Sequence, residues 1–545
     1  MAKRKREVVE TAATRGTTKS RKQEIASTPR QTHRSSIQQQ KALLSSNKIE
    51  STGLGVATND GNKKPSPSLI SLADNGTDTA TVQIVTGSYE RILHGFTAKI
   101  PRNPTPTSSG NTRQIEFADT FLFNAHSSAI RCIAISPPSA STDEHSQKVI
   151  LASGSTDERI NLYNLSTAPP PIGSKPPIPT LAGTTVSENP KNRELGSLLH
   201  HSSSITALYF PTRSKLLSSA EDNTIAISRT RDWTVLSTIK APIPKPVGRP
   251  SGDTAAPGEV PAGVDDFAVH PSMKLMVSVG KGERCMRLWN LVTGKKAGVL
   301  NFQRDMLQQA GEGKWGTGEG RKVEWDMEGE EFVVAFEKGA VIFGMNSKPK
   351  ARILPAPLTK LHQIRYVPGL GSSRILALST EDGRILFYDT QTPTTPPTQS
   401  TNTKKAADIP ACALLAQLGG RVAGITGRIK DFEILSPFST ESSPYGSLVI
   451  ITGSSDGAVR LWELSVDELH EEKITENGDA DSESNGTTAK APKHVGQLIG
   501  ACETGNRITC LKAFVMTGKP EDVEDEAELE AEIGLDNESS SDDSE

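Results

Sequence analysis

Seven carboxylates stand at one recurring place in this sequence: Glu90, Asp157, Asp222, Glu283, Glu337, Asp382 and Asp456. In six cases an aromatic residue follows six positions later, as Phe96, Tyr163, Trp289, Phe343, Tyr388 and Trp462; after Asp222 that position holds Ser228. Carboxylates can serve as general acids and bases in catalysis. Recurrence argues against that role, because a reaction needs one site and not seven equivalents. A carboxylate at a tight turn accepts backbone N–H groups and orders the turn. The seven acids are therefore read as structural hairpin-turn residues, and the aromatics as packing between repeats.

Other chemistry-bearing residues lead no further. Gly311 to Gly320 reads GEGKWGTGEG, but a phosphate cradle needs a strand before it and a helix after it, with N–H groups converging at the helix start. Here the strand-like KVEWDM follows, so the stretch is read as a flexible insertion. His200 and His201 lack companion ligands at metal spacing. The five cysteines (Cys132, Cys285, Cys412, Cys502, Cys510) are odd in number and form no C-x-x-C pair. They read as reduced thiols of an intracellular protein. No Ser/His/Asp or Cys/His constellation stands out. The expectation is a protein without catalytic residues, cofactor or metal.

The elements that position the acids are hairpins. Apolar strands such as VQIVTGS, VILASGS, KLMVSVG and LVIITGS precede the turns, and alternating strands such as AVRLWEL follow them. An apolar strand, a polar turn and a second alternating strand form the middle of a four-stranded blade. Further strands precede the later hairpins: AIRCIAIS, ITALYF, VDDFAVHPS, KVEWDMEG, QIRYVPG and RIKDFEIL. The first hairpin has none before it, whereas NRITCLKAFV (Asn506 to Val515) is left over at the other end. Pairing the two completes a blade and removes the open edges. The fold predicted is all-β, a seven-bladed WD-repeat β-propeller closed by a C-terminal strand. At roughly 40–45 residues per unit, seven blades need about 280–315 residues. The excess is assigned to loop insertions at Ser166 to Arg193, Ala241 to Gly263, Gln391 to Pro410 and Asp467 to Lys493, whose prolines or charges exclude central strands. Domain bounds are placed at 1–80 (basic, disordered), 81–516 (propeller) and 517–545 (acidic, disordered).

The net charge of −3 hides two tails of opposite sign. Residues 1–48 hold twelve Lys or Arg against three Glu, and residues 521–545 hold thirteen Asp or Glu with no basic residue. Such blocks cannot bury enough apolar surface to offset their ordering entropy. Lys3, Arg4, Lys5 and Arg6, with Arg21 and Lys22, read as a nuclear-import cluster against the plainer reading of a solvated tail. Ser539 and Ser540 each precede an acid by three residues and are candidates for acid-directed phosphorylation. The acidic tail either screens a basic partner or only solubilises the chain. No apolar run reaches the roughly 18 residues that suggest a membrane span. No motif for reading RNA sequence is present. A monomer is expected.

The segments VTGSYERILHGF (Val85 to Phe96), LLHHSSSITALYF (Leu198 to Phe210), KLLSSAEDNTI (Lys215 to Ile225), HPSMKLMVSVGKGERCMRLWNLVTGK (His270 to Lys295) and NRITCL (Asn506 to Leu511) resemble the fungal maintenance-of-killer WD-repeat family. Its animal relatives interact with p21-activated kinase. The resemblance covers about Val82 to Val515. It implies a nucleolar, non-enzymatic scaffold in large (60S) ribosomal subunit assembly and pre-rRNA maturation, whose partners are pre-ribosomal particles, their assembly factors or ribosomal proteins. As an alternative it implies a negative regulator that binds p21-activated kinase. It offers no catalytic residues. The long N-terminal extension and the Pro-rich insertions depart from the family pattern.

Overall fold

Strict alternation of apolar and polar residues lets a strand bury one face, and blades bury both by stacking. The computed structural model describes residues 79–102, 106–107, 110–111, 115–139, 147–169, 178–179, 185–186, 189, 191–244, 262–313, 316–370, 374–394, 408–438, 447–470 and 492–517. All of them belong to the unit Asp74–Glu545. Within them the chain forms seven antiparallel four-stranded blades. Blade 1 is Ile508–Val515, Thr79–Ser88, Ile92–Pro101 and Glu116–Asn124. Blade 2 is Ile130–Ile135, Lys148–Ser155, Ile160–Ser166 and Arg193–Leu198, and blade 3 is Ile205–Thr212, Lys215–Ala220, Thr224–Arg229 and Val235–Lys240. Blade 4 is Val264–Val269, Leu275–Gly280, Cys285–Asn290 and Lys295–Asn301, and blade 5 is Lys322–Trp325, Glu331–Ala335, Ala340–Gly344 and Pro349–Ile353. Blade 6 is Leu361–Tyr366, Ile375–Thr380, Arg384–Thr394 and Ala411–Gly419, and blade 7 is Ile429–Leu435, Ser447–Ser454, Ala458–Ser465 and Gln497–Glu503.

The closing strand predicted from the leftover segment is present. Ile508–Val515 pairs antiparallel with Thr79–Ser88, Val82 opposite Val515 and Gly87 opposite Cys510. It also lies beside the innermost strands of blades 7 and 2, so the ring of innermost strands is continuous. Side chains staple neighbouring strands of this ring to one another. The Thr206 hydroxyl donates to the Val264 carbonyl at 2.5 Å and that of Thr509 to Ile130 at 2.6 Å. Asp266 accepts the Val323 N–H and Asp431 the Leu511 N–H, each at 3.0 Å.

The core is divided into seven apolar clusters, each lying between two successive blades. The six-residue offset explains this periodicity. Phe96, Tyr163, Trp289, Phe343, Tyr388 and Trp462 occupy one register position, opposite Ile84, Leu151, Met276, Phe332, Leu376 and Ile450. Each aromatic packs against the preceding blade. The interface between blades 2 and 3 lacks one, because Ser228 stands opposite Leu216.

Three expectations about insertions need correction. The insertion after Ser166 is not only loop: Ile178–Pro179 and Thr185–Val186 add two short strands at the outer edge of blade 1, where Thr185 pairs parallel with Ala118. An edge is where a proline is tolerated, since its missing N–H breaks no ladder. The third strand of blade 6 runs on to Thr394, past the expected boundary at Gln391. The described part of Gly311–Gly320 is packed and not free. Glu312 is buried and accepts the Glu337 N–H at 2.9 Å, and a Cβ on Gly320 would meet Val279 at 2.7 Å. The short helix Arg304–Gln309 anchors this segment through Met306 and Leu307, which join the cluster between blades 4 and 5.

Candidate functional site

All seven acids lie in the turns between the second and third strands of their blades. These turns share one end of the propeller, here called the upper face, with the segments that lead into the innermost strands: Tyr89 N–H bonds to Arg507 O, Glu221 N–H to Ser204 O and Glu381 N–H to Lys360 O. Asp157 accepts the N–H groups of Ser127 at 2.9 Å and Arg159 at 3.1 Å; Asp222 accepts those of Ser202 at 3.2 Å and Thr224 at 2.9 Å. Asp456 accepts the Ala458 N–H at 3.1 Å, and Glu90 accepts the Arg507 N–H at 2.9 Å across the closing seam. Asp382 binds the Arg384 guanidinium at 2.7 Å, Glu337 binds Lys360 at 2.8 Å, and Glu283 pairs with Arg287. Lys3, Arg4, Lys5, Arg6, Arg21, Lys22, Ser539 and Ser540 lie outside the described residues.

Sequence reasoning missed two Ser–His–Asp sets. His126 places Nδ1 3.1 Å from Asp157 and Nε2 2.8 Å from the Ser153 hydroxyl. His201 repeats this with Asp222 at 3.1 Å and Ser218 at 2.8 Å. Burial pushes the His126 imidazole below its usual pKa, outweighing the attraction of Asp157. Burial works to raise the Asp157 carboxyl, but the Ser127 N–H, His126 and the Arg159 N–H hold it below the usual range. The pair is therefore a neutral imidazole donating to a carboxylate. Despite the residue types, these are not nucleophile sets. Ser153 is 0 % exposed and Ser218 1 %, so no substrate carbonyl can reach either oxygen. In blade 4 the same hydroxyl position is Ser278, which accepts the Trp289 indole N–H at 2.8 Å. In blade 7 it is Thr452, which accepts that of Trp462 at 3.3 Å.

The remaining chemical candidates are also accounted for. In Gly311–Gly320 carbonyls turn toward the Arg284 side chain, whose guanidinium donates to Thr317 O at 2.7 Å and to Gly316 O at 3.0 Å. A phosphate cradle would present N–H groups. Burial pushes the Cys132 and Cys412 thiols up to about 12 and those of Cys285 and Cys502 to about 11, which suppresses the nucleophilic thiolate. All five cysteines are free. Among the described residues no cluster of His, Cys, Asp or Glu could hold a metal ion, and no helix is long and apolar enough to cross a membrane.

Charges on the innermost strands are mostly matched: Lys512 with Glu433 at 2.9 Å, Arg365 with Glu433 at 3.4 Å, and Lys322 with Asp266 at 3.7 Å. Burial, against the pull of Arg365 and Lys512, raises the Glu324 carboxyl to about 7. The upper face is different. It carries exposed Tyr89, Leu199, Leu358 and Val422 on turns and inter-blade segments, together with the cations of blades 5 to 7. A rigid, chemically mixed face of this kind is suited to binding another macromolecule.

Comparison with known proteins agrees with this architecture. The model of the WD domain, G-beta repeat, matches residues 118–164, 192–227 and 438–463. Protein MAK11 of Saccharomyces cerevisiae is 28% identical over 413 residues, covering 72% of this chain and 80% of the yeast protein. The p21-activated protein kinase-interacting protein 1-like of Gallus gallus is 25% identical over 389 residues, 71% of this chain and 74% of the chicken protein. The Shk1 kinase-binding protein 15 of Schizosaccharomyces pombe is 23% identical over 449 residues, 82% of this chain and 89% of its own. The resemblance read from the quoted segments and the propeller itself point the same way: the chain is a WD-repeat propeller protein related to Protein MAK11 and to the p21-activated protein kinase-interacting proteins.

Proposed function

We propose that this chain is a non-enzymatic scaffold in large ribosomal subunit assembly and pre-rRNA maturation, working in the nucleus and nucleolus. The observation that carries the reading is the similarity to Protein MAK11 across 72% of the chain, a larger share than the three segments matched as WD repeats. The maintenance-of-killer resemblance implies this process. Two features support it: the basic run Lys3 to Arg6, suited to nuclear import, and a rigid upper face whose recurrent acids are committed to turns, leaving the segments between blades for partners. The expected partners are pre-ribosomal particles and their proteins.

Depletion of the protein tests the proposal. It should lower the ratio of free large to small subunits on sucrose gradients and cause large-subunit rRNA precursors to accumulate. A tagged chain should concentrate in the nucleolus. Normal precursor processing together with a signal excluded from the nucleolus would refute the reading.

The names of several relatives favour a second reading, in which the propeller binds p21-activated kinase; that it restrains the kinase is what the family resemblance implies. Purified kinase should then be retained by the immobilised full-length chain, with kinase activity falling as the chain is titrated in. Unchanged activity at saturation would remove this alternative.

A further inference from the structure

On the upper face between blades 5 and 6 lies a cavity of about 370 Å³, lined by the cations Lys338, Lys360 and Arg421, the acids Glu381 and Asp382, and Leu358, Thr359 and Thr426. The nearby acids have partners already. Glu337 binds Lys360 at 2.8 Å and Arg321 at 3.9 Å, Glu381 binds Arg428 at 3.1 Å, and Asp382 binds Arg384 at 2.7 Å. Lys338, Arg421 and Lys430 have no ion pair among the described residues. Arg507 extends the positive surface toward blade 1, its guanidinium 5.6 Å from the centre of the Tyr89 ring.

The cations crowd one another. Burial, then Arg428 and Arg507, depress the Lys430 ammonium below its usual range. Burial, then Lys430, Arg428, Arg321 and Lys360, bring the His362 imidazole down to about 4, and its buried Nε2 has no hydrogen-bond partner among the described residues. Cations outnumber carboxylates at this half-buried place, with Lys338, Arg421 and Lys430 outside any ion pair among the described residues, so an arriving anion lowers the energy of the free face.

We propose that this face of blades 5 to 7 binds an acidic peptide segment of a partner protein, with one carboxylate in the cavity beside Lys338 and Arg421 and a second against Lys430. Charge complementarity gives the sign, and the surroundings give the class. Glu337, Glu381 and Asp382 are interleaved with the cations and would repel a continuous run of phosphates. No aromatic ring lines the cavity for bases to stack on. Leu358 (48 % exposed) and Val422 (83 % exposed) instead offer apolar contact to an aliphatic side chain between two acids. The chain's own acidic residues 521–545 are the alternative occupant, and the described chain runs away from this face before them. The closing strand starts on the upper face, where Arg507 meets Glu90, and ends at the opposite one, where the Met516 N–H bonds to Thr81 O. The inference concerns protein binding alone and stands whether the partner is ribosomal or a kinase.

Fluorescence anisotropy with the full-length chain tests the proposal. The probe is a short labelled peptide alternating Glu and Leu, compared with its Gln/Leu counterpart and a single-stranded RNA oligonucleotide. The Glu/Leu peptide should bind and the Gln/Leu peptide should not. Lys338→Glu combined with Arg421→Glu should weaken binding by about tenfold or more. Arg231→Glu, an exposed turn cation on the opposite face, should leave it unchanged, with unaltered thermal unfolding showing that each variant is folded. Equal affinity of the double variant for the Glu/Leu peptide would overturn the proposal. So would tighter, equally variant-sensitive binding of the RNA, which would make the face a phosphate-backbone site. A full-length chain whose acids at 521–545 are changed to Asn and Gln should bind the peptide as the parent does. A tenfold gain there would make the tail the occupant and would also overturn the proposal.

Discussion

In blade 7, Trp462 packs into the interface with blade 6 and donates its indole N–H to Thr452. At the same register in blade 3 stands Ser228, which has no ring to offer, and the hydroxyl equivalent to Thr452 belongs to Ser218. Two imidazoles serve that hydroxyl: His201 Nε2 at 2.8 Å and His200 Nε2 at 3.1 Å, with ring centres 4.7 Å apart. The network assigns the protons. His201 donates Nδ1–H to Asp222, so its Nε2 accepts the Ser218 O–H, and the Ser218 oxygen accepts Nε2–H from His200. His200 thus stands where an indole N–H stands in blades 4 and 7. The difference teaches that blade 3 keeps the hydrogen bond of blades 4 and 7 with another side chain, whereas blades 5 and 6, with Val334 and Leu378 at the hydroxyl position, do without it.

The largest effect should come from removing the ring where it exists. Trp462→Ala leaves a cavity between blades 6 and 7 and removes the indole bond to Thr452, whose hydroxyl still donates to Arg460 O at 3.2 Å. The loss should be about 3–5 kcal/mol, most of it from the cavity. Urea unfolding measures it. A loss below about 1 kcal/mol would mean that the interface relaxes around the gap, and the comparison with blade 3 would lose its basis.

Next come the turn acids. Asp222 accepts the Ser202 N–H, the Thr224 N–H, the Thr224 hydroxyl at 2.6 Å and His201. Burial works to raise its carboxyl, yet these donors hold it well below the usual range. Asp456 accepts the Ala458 N–H and pairs with a partly exposed Arg460 at 3.2 Å. Asp222→Asn should therefore destabilise by about 1–3 kcal/mol and Asp456→Asn by about 0.5–1 kcal/mol, as exposed pairs contribute little. The reverse order in thermal melts would show that the His–Asp link does not set blade 3 apart.

Acid should also separate the two blades. Burial, then the neighbouring His201, lower the His200 pKa from the ordinary 6.5 to about 4. The unfolded chain binds the proton more readily across that interval, so His200 contributes stability that is complete above about pH 6.5 and is lost as the pH falls toward 4. His362 titrates in the same window. The informative measurement is the difference in melting temperature between the parent and His200→Asn as a function of pH. It should shrink from pH 7 to pH 4. A constant difference would show that His200 contributes by shape alone.

These features differ in how well the sequence announces them. The hairpins were legible because the acid in the turn and the aromatic in the strand that follows it directly are six residues apart with no loop between, so their register cannot vary. The closing strand was legible because its alternation had no partner nearby. The Ser–His–Asp sets were not, because His126 precedes Asp157 by 31 residues and His201 precedes Asp222 by 21, with a first-to-second-strand connection of different length in between. Position-specific spacing is lost whenever a loop intervenes. The basic cluster was invisible for the same reason in stronger form, since its members run from Arg321 to Arg507 and meet only when blades 5, 6, 7 and 1 are side by side. The edge strands Ile178–Pro179 and Thr185–Val186 are too short to carry any period.

The smallest effect is the sharpest test of the substitution logic. Ser228 occupies the aromatic position without the aromatic's function: its hydroxyl is buried and has no hydrogen-bond partner among the described residues, because His200 has taken over the bond to Ser218. A buried hydroxyl without a partner opposes folding, and its removal relieves that cost at the loss of one small atom's packing. Ser228→Ala should therefore shift stability by no more than about 0.5 kcal/mol, toward greater stability if at all. A clear destabilisation in urea would mean that the Ser228 hydroxyl does hold a partner, and that blade 3 is completed at this register position after all and not through His200.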